Sequence, residues 1–249
     1  MCTIILLRRP GHDWPLILAA NRDESKYRPW QAPGRHWPDR AEVTAGLDVL
    51  AKGTWLGVND WGVVAGVLNR PDSLGPKANM RSRGELPLEA LDHAEAVTAA
   101  EGLCAINPSS YQSFNLIIAD RTQAYWLSSL GDTSPIFATP IPEGLSMITA
   151  FNLNDNTSPR ISYYKPKFEA ANPPNVEVGD WAAWKELMGD RRENQLGQED
   201  GSMTIVSNNG LETVSSSLIA LPTQKNEAKP KWLFAPGRPD KKTYENIAF

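Results

Sequence analysis

Cys2 directly follows Met1. A small side chain at this position permits removal of the methionine and makes the cysteine the first residue of the mature chain. Such a residue carries both a thiol and a free α-amine. The amine has an ordinary pKa of about 7.7–8.0 and the thiol about 8.5. An amine that titrates near neutrality can act as general base for its own side chain. Nucleophile and base then arrive together, and no histidine is required. The three histidines, His12, His36 and His93, sit in no catalytic motif. The bland alternative for Cys2 is a small buried residue opening an edge strand.

Three polar positions close apolar runs in a way that suits the same chemistry. Asn21-Arg22-Asp23-Glu24 follows the run Leu16 to Ala20. If that run pairs as a hairpin with the run Cys2 to Leu7, Asp23 can accept a hydrogen bond from the Cys2 ammonium and orient it. Arg22 can hold a substrate carboxylate or favour the thiolate by its charge; a solvated turn with a local salt bridge is the competing reading. Asn69 closes Gly62–Leu68 ahead of Arg70-Pro71, and Asn152 closes Met147–Phe151. Two side-chain amides aimed at one point can stabilise a tetrahedral oxyanion, each worth about 10²–10³ in rate. Singly, an Asn in such a place is more often a turn former. There is no P-loop, HExxH, G-x-S-x-G or Cys-x-x-Cys, so no metal or cofactor site is read from a motif. Cys104 falls in a helical pattern and reads as core. Ser215 to Ser217 reads as a strand edge. The nine tryptophans suit either a ligand cleft or core packing.

The elements that must position these groups alternate between strands at both ends and helices in the middle. Short β-branched runs bounded by turn residues predict strands at Cys2–Leu7, Leu16–Ala20, Thr54–Val58, Gly62–Leu68, Phe114–Ala119, Ala124–Leu127, Met147–Phe151, Met203–Val206 and Ser215–Leu221. Residues 28–40, with Pro29, Pro33, Gly34 and Pro38, predict a loop. Leu86, Leu88, Leu91, Ala94, Val97 and Leu103 predict one helix over Ser82 to Ala105. Ser162–Phe168 predicts a helical turn and Asp180–Met188 a helix. Residues 189–201 read as an exposed polar stretch, and Trp232-Leu233-Phe234 as a tail segment docked on the body. The whole is α+β.

The chain has 249 residues, a length compatible with one domain. With 25 Lys and Arg against 29 Asp and Glu, the net charge is −4. That excludes the bulk positive field expected of a nucleic-acid or anionic-membrane binder. Two cysteines are too few for a disulfide framework, and a reducing, cytoplasmic setting is expected. The apolar start is short and precedes Arg8 and Arg9, the reverse of a secretory leader. No run approaches the ~18 apolar residues of a membrane span.

Several blocks resemble the NRDE family, also called the Transport and Golgi Organization 2 family. They are Met1-Cys2-Thr3-Ile4, Ala20-Asn21-Arg22-Asp23-Glu24, Arg28-Pro29, Ala45-Gly46-Leu47-Asp48 and Gly53-Thr54-Trp55-Leu56-Gly57-Val58-Asn59. The resemblance continues in Gly62, Leu68-Asn69-Arg70, Ser82-Arg83-Gly84-Glu85-Leu86, Phe114-Asn115-Leu116-Ile117 and Asn152, and is good over roughly residues 1–160. That family is in turn similar to N-terminal-nucleophile (Ntn) hydrolases of the bile-salt and penicillin-V acylase type. The resemblance implies a single four-layer αββα sandwich over 1–249, with Cys2 as nucleophile, Asp23 orienting its amine, and Asn69 with Asn152 as oxyanion donors. It implies hydrolysis of a linear amide or acyl bond, with Arg22, Asn21, Trp55 and Arg70 at the substrate and no cofactor. An arginine of the acylase pattern is replaced by Ala20, and Glu212-Thr213-Val214 stands where many family members have Gly-Thr-Arg. Members are also linked to Golgi organisation, lipid or acyl-CoA metabolism and haem handling. The same cleft in a non-catalytic carrier of haem or a fatty acyl group is therefore the alternative expectation.

Overall fold

The computed structural model describes residues 2–192, 201–224 and 228–249. The chain divides into two compact units, Met1–Arg28 with Glu143–Ile247, and Pro29–Pro142 with Ala248–Phe249. In chain order the first unit opens with β1 (Thr3–Arg8) and β2 (Leu16–Ser25). The second unit follows with β3 (Trp30–Gly34), β4 (Val43–Asp48), β5 (Leu56–Asn59), β6 (Val64–Asn69), α1 (Glu85–Leu91), α2 (Ala96–Cys104), β7 (Phe114–Ala119), β8 (Ala124–Ser129) and β9 (Phe137–Pro140). The first unit then resumes with β10 (Gly144–Ile148), α3 (Pro159–Ala170), α4 (Ala182–Gly189), β11 (Leu211–Leu221), β12 (Lys231–Ala235) and β13 (Glu245–Asn246).

Each unit is one antiparallel sheet carrying two of these helices. In the first, the strand order is β10-β1-β2-β11-β12-β13. Alternate residues of its strands, Ile5, Ile17, Ala19, Met147, Leu218 and Ala220, pack against Ile161, Tyr164 and Phe168 of α3 and Trp184 and Met188 of α4. In the second, β3 to β9 lie side by side in sequence order. Val43, Ala65, Leu116, Ile118 and Leu127 pack against Leu88 and Leu91 of α1 and Ala99 and Leu103 of α2. The period of two along each strand places one set of side chains under the helices and the other on the opposite face.

Three departures from the sequence expectations bear on the site. First, the polar block Asn21–Glu24 does not end the second strand but lies inside β2. That stretch pairs with β11, with Ser215 opposite Arg22 and Thr213 opposite Asp23, so tertiary pairing overrides its turn-like polarity. Secondly, the helix expected over 82–105 is two helices. The Asn59 side chain donates to the carbonyls of Leu91 and His93, and the Asp120 carboxylate accepts from the Ala96 N–H. These bonds serve backbone groups that a helix end leaves without partners. Thirdly, Met203–Val206 forms only an isolated bridge, Val206 to Glu212. β3 occupies the expected loop, β4 and β9 were not anticipated, and β10 ends at Ile148. Residues 193–200 of the polar stretch lie outside the described residues.

Burial raises the Tyr111 hydroxyl to about 12 and those of Tyr164 and Tyr244 further. The folded chain therefore keeps three protons that an unfolded chain begins to release near pH 10. Stability is fully present below that pH and falls as the pH rises above it. Thermal unfolding midpoints recorded between pH 8 and 11.5 are expected to be level at first and then to drop.

Candidate active site

β1 and β2 form the hairpin expected from the sequence, with Thr3 opposite Asn21. That register sets Cys2 beside Arg22 and Asp23. The Cys2 Sγ accepts a hydrogen bond from the Asp23 N–H at 3.4 Å and lies 3.5 Å from the Asp23 carbonyl oxygen. The residue is half-buried. Burial pushes its thiol above the ordinary value, as does the Asp23 charge, while the Asp23 backbone N–H and Arg22 act in the opposite direction.

The Asp23 carboxylate is held at both oxygens. Its Oδ2 accepts from Arg160 Nη1 at 3.0 Å and its Oδ1 from Thr213 Oγ1 at 2.6 Å. Arg160 Nη1 also donates to Thr3 Oγ1 at 2.6 Å. The side chains of Asp23 and Arg160 are both fully buried. Arg160 stands in the first turn of α3, which Ser158 caps and Pro159 opens; Pro in that place costs the helix no hydrogen bond. Thr213 sits next to a register shift in β11. The sequence reading missed Arg160, Thr3 and Thr213. The Ser158-Pro159 pair does signal a helix start, but nothing local shows that the next residue reaches a carboxylate 137 positions away.

Arg22 is buried on the other face of β2 from Asp23 and forms an ion pair with Glu24 at 3.8 Å. Asn21, expected at the substrate, is 1% exposed, and its Nδ2 donates to the carbonyls of Met188 and Met203 at 3.0 Å each. It ties the end of α4 and the 203 segment to the sheet. Asn152 is exposed in the turn after β10, where its carbonyl accepts from the Asp155 N–H.

Asn69, Trp55 and Arg70 belong to the second unit. Asn69 ends β6 opposite Phe114. Arg70 Nη1 and Trp126 Nε1 both donate to Asn115 Oδ1, at 2.7 and 3.1 Å. Trp55 meets Trp30 edge-on at 6.0 Å, and its ring lies where a Cβ on residue 46 would be, 2.3 Å away, so Gly46 leaves room for it. Gly53 approaches Gly84 in the same manner. Thr54 N donates to Gly84 O at 2.8 Å, and a Cβ on residue 53 would stand 2.5 Å from the Gly84 carbonyl. Two sequence blocks thus meet backbone to backbone. Gly53→Ala is expected to destabilise the chain by about 1–3 kcal/mol through overpacking, seen as a lower urea midpoint with an unchanged slope.

This arrangement of sheets and helices matches solved structures over nearly the whole chain. An N-acylethanolamine-hydrolyzing acid amidase orthologue from Caenorhabditis elegans aligns with a TM-score of 0.57 at 11% identity, covering 99% of this chain and 100% of that one. Penicillin V acylase from Agrobacterium tumefaciens gives 0.55 at 12% identity, covering 94% and 83%. A Cys2→Ala mutant of conjugated bile acid hydrolase from Clostridium perfringens gives 0.52 at 10% identity, covering 100% and 97%. The fold is therefore α+β and Ntn-hydrolase-like. At the level of sequence, a model of Transport and Golgi organisation 2 matches residues 1–231, and the chain belongs to that family. The bovine Transport and Golgi organization protein 2 homolog is 34% identical over 148 residues, and the human one 35% over 146. In both cases the match covers 53% of this chain and spans about half the length of the relative. Among the described residues, no helix is long and apolar enough to cross a membrane.

Proposed function

We propose that the chain is an N-terminal-cysteine amidohydrolase acting on a linear amide or other acyl bond of a small molecule, in the cytoplasm. Removal of Met1 frees the Cys2 amine. The amine takes the thiol proton as Sγ attacks the acyl carbonyl, and Asp23 orients the amine. By the resemblance, Asn152 receives the tetrahedral oxyanion. The leaving amine departs with the proton, and water then cleaves the thioester at Cys2 to release the acid. Arg22 contacts the substrate. The observation that carries this reading is the contact of the Cys2 thiol with Asp23 on the neighbouring strand of an Ntn-hydrolase-like fold.

The test joins intact-mass analysis of the mature N-terminus to a screen of linear N-acyl amides. Expected are loss of Met1, turnover of at least one amide, and abolition of that turnover in Cys2→Ala. Iodoacetamide is expected to label Cys2 before Cys104, whose thiol burial also pushes up. Full retention of Met1 on active protein would end the mechanism.

A second reading is a carrier of haem or a fatty acyl group in the same cleft. It is favoured by apolar Ala20 and Val214 at positions where the resemblance calls for arginine. A hemin titration decides the haem part: a saturable Soret change at low micromolar hemin supports it, and a flat response removes it.

A further inference from the structure

We infer that Arg160 is a positioning residue for the proposed reaction: bridging Thr3 and Asp23, it fixes the carboxylate that is to hold the Cys2 amine. The inference rests on the reading of Cys2 as nucleophile. Arg160 Nη1 reaches Thr3 Oγ1 and Asp23 Oδ2 at once. One guanidinium nitrogen therefore ties the residue after the nucleophile to the acid on the adjacent strand. Thr213 holds the other carboxylate oxygen, so the carboxyl group has an anchor at each end. A planar guanidinium held on two acceptors and fully buried has little freedom to rotate away. It also sets a permanent positive charge against Asp23, on the face of β2 away from Arg22.

The charged groups around the thiol define what removing Arg160 does. On β2 they are Asp23, Arg22 and, through Arg22, Glu24; on β1 the terminal amine; on α3 Arg160, acting through Asp23. β11 contributes Thr213, which is uncharged. With Arg160 gone, Asp23 loses the positive charge held 3.0 Å from its Oδ2, and its negative charge bears more strongly on the thiolate.

The test is the pH profile of iodoacetamide labelling at Cys2, measured on the full chain after Met1 removal has been verified by mass, with the N-terminal peptide quantified. In folded Arg160→Gln the inflection is expected to rise by about one pH unit. Arg160→Lys keeps the charge and returns the inflection towards wild type. Thr3→Val removes one anchor without breaking the ion pair and moves the inflection the same way by less. Folded Gln and Val variants whose inflections match wild type would overturn the inference and leave Arg160 a purely structural ion pair. If Arg160→Gln does not fold, the Thr3→Val profile decides alone. Labelling does not depend on turnover, so an inactive wild type would count against the amidohydrolase reading without touching this result.

Discussion

Asp23→Ala is expected to destabilise the chain by about 3–5 kcal/mol, the cost of leaving one partner of a buried ion pair behind. At this chain length that corresponds to roughly 6–20 °C in Tm. The stranded group is Arg160, fully buried at the start of α3. Arg160→Met reverses the geometry: it leaves the buried carboxylate its bond from Thr213 Oγ1 but removes the guanidinium, and its deficit is expected to match that of Asp23→Ala at pH 7. Urea unfolding of both variants at pH 7 reads this directly. A deficit below about 1 kcal/mol in either, the range of an exposed pair, would show that the pair is not isolated from water as its burial implies. The double variant Asp23→Leu with Arg160→Met should recover much of the loss, because an apolar pair of similar volume needs no neutralisation.

The same pair marks the boundary of what the sequence discloses. The nearness of Cys2 to Asp23 was legible because hairpin geometry brings the end of one strand beside the start of the next, and only the pairing of two apolar runs was needed; that the thiol meets the Asp23 backbone was not. Arg160 and Thr213 were not legible: they meet Asp23 across 137 and 190 residues, and no periodicity records such a meeting. The α+β alternation was readable from the apolar runs. The extension of β2 through Asn21–Glu24 was not, since β11 supplies the backbone partners that a polar stretch otherwise finds in water. The break between α1 and α2 was hidden for a related reason. Apolar spacing continues across residues 92–95, and the groups that end one helix and start the other, Asn59 and Asp120, lie elsewhere in the chain. Nor were the bonds of Asn21 legible: its amide closes the gap between sheet, α4 and the 203 segment, whose carbonyls lie 167 and 182 positions away.

Asn59 poses the same question for the Gly-Thr-Trp-Leu-Gly-Val-Asn block, and its replacement has the second large expected effect. The residue is fully buried at the end of β5. Its Nδ2 donates to Leu91 O at 2.9 Å and His93 O at 2.7 Å, and its Oδ1 accepts from Val63 N at 2.8 Å. Asn59→Ala removes three bonds at once and orphans two carbonyls and one N–H. Each orphaned buried group costs about 1–3 kcal/mol, and water can reach the half-buried His93 carbonyl. A loss of about 2–5 kcal/mol is therefore expected, with hydrogen exchange speeding up first around residues 91–96. Asn59→Asp separates donor from acceptor in this argument. It keeps the acceptor for Val63 but turns a carboxylate oxygen towards two carbonyls, so it should be worse than Ala despite its matching shape. If Asp were tolerated better than Ala, the donor bonds to the α1–α2 junction could not be what the side chain is for. If it is worse, this end of the block serves to seat α1 and α2 on their sheet, and loss of function in Asn59 variants would follow from unfolding, not from a missing contact with substrate.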